Sequence, residues 1–257
     1  MQVGVVGCNG RVGKLIVKEL LSGNWADKGL LLAGGTARDS SNVPDGCPAM
    51  ESESELFEKS DVVIDFTLPE GTRKHVNLAA QHKTPIVIGT TGLTQEDEEF
   101  LQQKSKEVCI VYAANMSVGV NLLLDLVEKA ASCLEQDWDI EIFETHHKYK
   151  VDAPSGTALA LGKAAASGRN GNLDVLADYE RHGNIGSREK GKIGFSVARG
   201  GDVVGEHTVF FFGEGERIEL THRATDRRLF AKGALRAALW CKEKPAGLYS
   251  MRDVLDL

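Results

Sequence analysis

The chain has 257 residues, with 37 acidic and 30 basic side chains and a formal net charge of −7. At about 150 residues per domain this is one large domain or two modest ones, and 42% apolar with 26% charged residues is ordinary for a soluble globular protein. That composition excludes a disordered tail, a collagen-like rod and a coiled coil, and the acidic balance argues against a nucleic-acid partner held through its phosphates.

No basic segment and long apolar stretch precede the first apolar run at residues 3–6, so no secretory leader is expected. That run predicts a strand, and Gly7 to Gly13 follow as a glycine loop. Residues 11–21 place Val12, Leu15, Ile16 and Leu20 at helical spacing. A second strand is expected over 30–33, ended by Gly34 and Gly35, and a third over 61–66. Residues 39–60 give only a loop and a short helix. A helix over 70–82, a strand over 85–88, a helix opening at Thr94 and a strand over 109–113 complete an alternation of short buried strands with helices. Such alternation implies parallel pairing in a Rossmann-like doubly wound α/β sheet.

The rhythm then changes. A long helix over 118–134, a strand over 139–144 and an Ala-rich helix over 155–166 precede three strand-like runs at 193–198, 203–212 and 217–222. Strands without intervening helices predict an antiparallel or mixed sheet, hence a second, central α+β domain. The expected division is a dinucleotide-binding domain over 1–117 and 226–257, with its last long helix over 226–242, and a substrate domain over 118–225. The longest uncharged stretch, residues 108–124, carries Asn115, Ser117, Gly119 and Asn121 and makes a poor membrane span. Five scattered cysteines without a CxxC pair suggest reduced, mostly buried thiols in a cytoplasmic protein. Trp25, Trp138 and Trp240 read as packing residues.

The glycine loop carries the first chemistry. Gly7, Cys8, Asn9, Gly10, Arg11, Val12 and Gly13 span a strand-to-helix turn, where backbone N–H groups and the helix dipole suit a pyrophosphate. The spacing is GxxGxxG, with Asn9 in place of the middle glycine of the commoner fingerprint, and a plain packing turn remains an alternative. The acid expected at the end of the second strand to hold the adenosine ribose is absent, and Arg38 stands close by, with Asp39 as a displaced acid one residue on. An arginine there pairs with a 2′-phosphate, so NADPH is favoured over NADH.

The second chemistry lies in the run from Glu144 to Thr157, which joins a strand to a helix. Adjacent His146 and His147 would face opposite ways on a strand, so a loop is expected to hold them. Histidine moves a proton near neutral pH, and Lys150 supplies a cation or second acid. The helix start at Ser155, Gly156 and Thr157 offers free N–H groups to a carboxylate. The segment thus reads as an acid beside an anion site. Metal ligation by the histidine pair is the weaker alternative, because no cysteine or third histidine lies at ligand spacing. Ser155 also reads as a helix N-cap.

The run ETHHKYKVDAPSGTA resembles the signature of the 4-hydroxy-tetrahydrodipicolinate reductase (dihydrodipicolinate reductase) family, and GCNGRVGKLI, DFTLPEGT, VIGTTGL, AANMSVGVN, GDVVGEHT and MRDVLDL agree with it in order along nearly the whole chain. The resemblance implies an N-terminal dinucleotide domain closed by the C-terminal helix, a central domain that builds a homotetramer, and reduction of a cyclic imine dicarboxylate in lysine and diaminopimelate biosynthesis. It further implies that Gly7 to Val12 hold the pyrophosphate, with Gly89, Thr90 and Thr91 on one side of the nicotinamide half and Ala113, Ala114, Asn115 and Met116 on the other. His146 would be the proton donor, Lys150 its second, and His147, Gly156 and Thr157 the carboxylate contacts. Thr36 stands where many members have the ribose acid, Leu68 where some have arginine, and Met116 where phenylalanine is frequent. Hydride transfer requires the two domains to close, which makes residues near Ser117 and Thr225 hinge candidates. Two other readings share the glycine loop: a dehydrogenase for another amino acid or semialdehyde, and a non-catalytic dinucleotide sensor.

Overall fold

A computed structural model describes residues 1–39 and 42–257, and the chain divides into two compact units, Met1–Val118 with Arg227–Leu257, and Gly119–Asp226. The chain passes between them next to the hinge candidates Ser117 and Thr225. The first unit begins β1 (Gln2–Val6), α1 (Gly13–Leu21), β2 (Leu31–Thr36), α2 (Glu53–Glu58), β3 (Val62–Asp65), α3 (Pro69–His82), β4 (Ile86–Ile88), α4 (Gln95–Lys104) and β5 (Cys109–Tyr112). The second holds α5 (Val118–Cys133), β6 (Asp139–His146), α6 (Gly156–Gly168), α7 (Leu173–Leu176), β7 (Ala177–Asp178), β8 (Ile193–Arg199), β9 (Gly205–Gly213) and β10 (Glu216–Ala224). The chain then returns to the first unit with α8 (Arg228–Cys241), β11 (Gly247–Tyr249) and α9 (Met251–Leu255).

In the first unit the strands run parallel in the order β11-β5-β4-β3-β1-β2. Their residues are apolar on both faces, since Val3, Val5, Val62, Ile64, Ile86 and Ile88 are all fully buried. Strands buried on both sides need helices on both faces, which gives the doubly wound Rossmann-like layering. The strand order reverses at β1, so the glycine loop leaves the sheet at its switch point. Helix α8 packs its alanine face, Ala231, Ala234, Ala237 and Ala238, into the same core. Gly233 permits this approach, because a Cβ there would lie 1.7 Å from the Met116 carbonyl oxygen.

Two expectations are corrected in this unit. The glycines do not end β2 at residue 33; the strand continues through Gly34 and Gly35 to Thr36. A Cβ on Gly34 would meet Met50 Cε at 2.5 Å and one on Gly35 would meet Cys8 Cβ at 2.7 Å, so these glycines buy close packing rather than a turn. Strand β11 and helix α9 extend the unit beyond the predicted last helix. The loop-and-helix reading of residues 39–60 meets α2; Ser40 and Ser41 lie outside the described residues.

The second unit is a mixed sheet in the order β10-β9-β6-β8-β7. Strand β6 pairs parallel to β8 and antiparallel to β9. One face is covered by α5 and α6, whose Leu123, Val127, Leu161 and Ala165 pack with Ile140, Ile142, Val209 and Phe211. Among the described residues, the five cysteines are free and four are buried, and no helix is long and apolar enough to cross a membrane.

Candidate functional site

In the first unit, the candidate residues gather at the C-terminal edge of the parallel sheet. Gly7 follows β1 in a left-handed conformation at φ +64, and the turn closes with Gly10 N–H donating to the Gly7 carbonyl at 2.8 Å. A Cβ on Gly13 would lie 2.3 Å from that carbonyl oxygen, so glycine is the only residue this contact tolerates. Val12 stands at the N-cap of α1 and no side chain caps the helix. Lys14 N–H donates to the Gly10 carbonyl at 3.0 Å, and with no side chain over the helix start the dipole there suits a ligand anion. Cys8 reaches the loop only through its backbone, because its thiol is buried against Gly35 and Cys47. Asn9 is half-buried, and Gly10 and Arg11 are exposed.

The neighbouring strand ends complete the edge. Cys8 N–H donates to the Thr36 carbonyl at 3.0 Å, which ties the end of β2 to the loop, and Arg38 is exposed two residues on. After β4, Gly89 packs so closely on Phe66 that a Cβ would lie 2.3 Å from the ring. Thr90 is buried with its hydroxyl 2.8 Å from that of Thr72, while Thr91 is exposed. After β5, Ala113 is half-buried and Ala114 exposed, and the Asn115 side-chain oxygen accepts from Ser117 N–H at 2.9 Å. The Met116 side chain is buried in the core. A helix start without a side-chain cap and a tight glycine turn at the sheet's switch point fit a dinucleotide.

The second unit builds a buried polar cluster. The inward face of β6 reads Ile140, Ile142, Glu144, His146, all buried, so the apolar core grades into two ionisable groups by strand alternation. This corrects the expected loop: His146 is the last residue of β6 and only His147 lies beyond it. His146 Nδ1 lies 2.5 Å from Glu144 Oε2. Arg199, paired with His146 in the β6–β8 register, grips both Glu144 oxygens at 2.8 and 2.9 Å. Ser155 N–H donates to Glu144 Oε1 at 2.9 Å, and Ser155 Oγ lies 3.0 Å from His207 Nε2 on β9. The His146 and His207 rings meet edge to face at 5.1 Å between centroids.

Electrostatics follow from this packing. Burial raises the Glu144 carboxyl, but the Arg199 guanidinium, His146 and the Ser155 N–H outweigh it and hold the group below its ordinary range. Burial lowers the His146 imidazole, opposed by Glu144 and reinforced by Lys150 and Arg199. Burial, then the neighbouring His146, pushes His207 down to about 4. Glu144, His146 and His207 could reach one ion by distance alone, with ligand atoms within 4.8 Å of one another. Both Glu144 oxygens already accept from Arg199, however, and a guanidinium on a carboxylate opposes a second cation there. The cluster suits a proton rather than a metal.

The rest of the predicted segment surrounds this cluster. His147 N–H donates to the Val203 carbonyl at 2.8 Å, and its Nδ1 is buried without a partner. Lys150 Nζ pairs with Asp152 at 2.8 Å. Ser155 caps α6, its hydroxyl accepting from Ala158 N–H at 3.1 Å. Gly156 is exposed and Thr157 half-buried in the first turn. Three members were not anticipated from the sequence: Glu144, Arg199 and His207. The alternation of the predicted strand over 139–144 already places Glu144 on the inward face with Ile140 and Ile142.

Residues 1–116 match the family model for dihydrodipicolinate reductase, N-terminus, and residues 119–255 that for dihydrodipicolinate reductase, C-terminus. The 4-hydroxy-tetrahydrodipicolinate reductase of Zymomonas mobilis is 46% identical over 257 residues, covering 100% of this chain and 98% of that protein. That of Pseudomonas fluorescens is 47% identical over 265 aligned residues, covering 100% and 99%. In fold, the chain resembles the dipicolinate-bound dihydrodipicolinate reductase of Paenisporosarcina sp. TG-14, with a TM-score of 0.78, 23% identity and 97% of each chain covered.

Proposed function

The chain belongs to the dihydrodipicolinate reductase family and is a nicotinamide-dependent 4-hydroxy-tetrahydrodipicolinate reductase of lysine and diaminopimelate biosynthesis, and on that premise we propose how its residues divide the reaction. One hydride and one proton enter the substrate, one water leaves, and the product is tetrahydrodipicolinate. The reduced nicotinamide, when bound, supplies the hydride. The first unit serves as the dinucleotide-binding domain, with Gly7 to Val12 on the pyrophosphate, Gly89, Thr90 and Thr91 on one side of the nicotinamide half, and Ala113 to Met116 on the other. Arg38 pairs with a ribose 2′-phosphate, so NADPH is preferred to NADH.

The second unit serves as the substrate domain. Lys150, His147 and the helix start at Gly156 and Thr157, which Ser155 sets by capping α6, neutralise the two carboxylates. His146 delivers the proton that follows hydride addition, with Lys150 assisting. A dianionic ring next to a partly desolvated imidazole raises its affinity for a proton, so substrate helps to charge its own acid. The observation that carries this reading is the Glu144–His146 pair, joined by the Ser155 N–H to the start of α6. A homotetramer assembled through this unit is part of the same reading. Buried, unpaired thiols support a reducing, cytoplasmic setting.

The direct test is the fall of NADPH absorbance on adding the substrate to wild type and to His146→Gln. Wild type turns over, and the variant loses about a hundredfold or more in turnover with nearly unchanged coenzyme affinity. Near wild-type turnover in the variant removes His146 from the role.

A further inference from the structure

A histidine that acts at one nitrogen needs its other nitrogen governed, because the two exchange donor and acceptor roles with the tautomer. Here one group does the governing. Glu144 is 1% exposed, and such a carboxylate persists as an anion only when it is fully paired. Its four contacts come from separate parts of the second unit: Arg199 Nη1 and Nη2 from β8, the Ser155 N–H at the start of α6, and His146 Nδ1 two residues along β6. All four are directed at acceptor oxygens. The Arg199 fork is itself fixed, with Nη2 also donating to the Asp152 carbonyl at 2.7 Å.

We propose that Glu144, locked by Arg199 and the Ser155 amide, is a positioning residue that keeps a proton on Nδ1 of His146 and turns Nε2 toward the reacting ring. This rests on the reading of His146 as the proton donor. The opposite edge of the imidazole agrees with it. Nε2 faces Gly205, where a Cβ would come within 2.9 Å, so the glycine leaves room beside that edge of the ring which any side chain would fill. Arg199 does not touch the imidazole in this arrangement; it keeps Glu144 ionised, and Glu144 in turn supports the cationic form of His146. The charged and titratable groups that face His146 are Glu144 on its own strand, Arg199 on β8, His207 on β9 and Lys150 in the loop beyond β6. Of these, only Glu144 favours the imidazolium.

The decisive variant is Glu144→Gln. Its single acceptor oxygen is claimed by Arg199 and the Ser155 N–H, and its amide NH2 then faces His146 Nδ1. That nitrogen must accept instead of donate, and the imidazolium loses its partner. Turnover falls by about tenfold or more, and the alkaline limb of the kcat/KM profile moves about one pH unit toward acid, with coenzyme affinity unchanged. Turnover and a profile like those of wild type overturn the proposal. So does a variant that is slow at every pH with an unmoved limb, which is what a purely structural ion pair gives. A second measurement needs no variant: 15N NMR of the wild-type histidines at alkaline pH should show His146 as the Nδ1–H tautomer, and an Nε2–H tautomer overturns the assignment. The His146→Gln control separates the two claims. If that variant turns over normally, the donor reading itself fails; if it is slow while Glu144→Gln matches wild type, only the positioning role fails.

Discussion

Ser155 donates its backbone N–H to the buried Glu144 carboxylate at 2.9 Å, which makes the start of α6 and the histidine-bearing end of β6 one hydrogen-bonded piece. The hydroxyl of the same residue accepts from Ala158 N–H and meets His207 Nε2. Ser155→Ala keeps the amide contact with Glu144 but removes the helix cap and the hydroxyl that meets His207 Nε2. Losing a cap and orphaning a buried ring nitrogen costs about 1–3 kcal/mol. The expected outcome is a lower urea midpoint for the transition that reports the second unit. An unchanged midpoint would show that water replaces the hydroxyl at no cost.

The coenzyme preference is tested at Arg38. The residue is exposed just past β2, and the buried position before it that could have carried a ribose acid is Thr36. Arg38→Ala should weaken NADPH by about tenfold, the scale of one surface-exposed charge-assisted phosphate contact, and leave NADH nearly unaffected. Dissociation constants from nucleotide fluorescence titrations decide it. Equal weakening of the two would mean that Arg38 does not read the 2′-phosphate.

Both sheets were legible from the sequence because their strands carry their own signature: short fully apolar runs between helices in the first, alternating runs in the second. What was not legible arrives from far along the chain. Arg199 reaches Glu144 across 55 residues and His207 reaches Ser155 across 52, and neither carries a local pattern that marks it. The glycines of β2 misled because a glycine pair normally breaks a strand. Here they are held by contact with Cys8, Cys47 and Met50, which is tertiary information. Strand β11 is three residues long and exists because β5 offers it an edge. The histidine pair was placed in a loop because two adjacent side chains cannot share a strand face. The structure meets that constraint differently, ending the strand between them.

A pH dependence of stability is expected from the first unit. His75 is 3% exposed, with Nδ1 2.8 Å from Asp65 and Nε2 3.4 Å from Glu53. Burial lowers this imidazole, but the flanking carboxylates outweigh burial and raise it above its ordinary value. A raised folded-state value means that the native protein binds the proton more tightly than the unfolded chain. The stabilisation is therefore complete below the unfolded value of about 6.5 and is lost as pH rises through the higher folded one. The stability gap between wild type and His75→Gln should be widest near pH 6 and narrow toward pH 9. A gap that stays constant over this range would mean that the pair contributes only a neutral hydrogen bond.

Gly205 provides the test of how tightly the imidazole of His146 must be held. It opens β9, and a Cβ there would come 2.9 Å from Nε2 and 3.2 Å from Cδ2. The ring has little room to retreat, since its other side is bound to Glu144 at 2.5 Å and its edge packs against His207. Gly205→Ala must therefore rotate the imidazole off the carboxylate or push the two strands apart. Overpacking of this kind costs about 1–3 kcal/mol, and displacing a proton donor by about 1 Å costs on the order of a hundredfold in turnover. The two costs separate experimentally. With the coenzyme on the other unit as proposed, its affinity should not change, whereas kcat should fall much further than the modest loss of stability explains. A folded variant with wild-type kcat would show that the donor reaches its ring from a position that tolerates a methyl group at residue 205, and that the space over this glycine is not the one substrate uses.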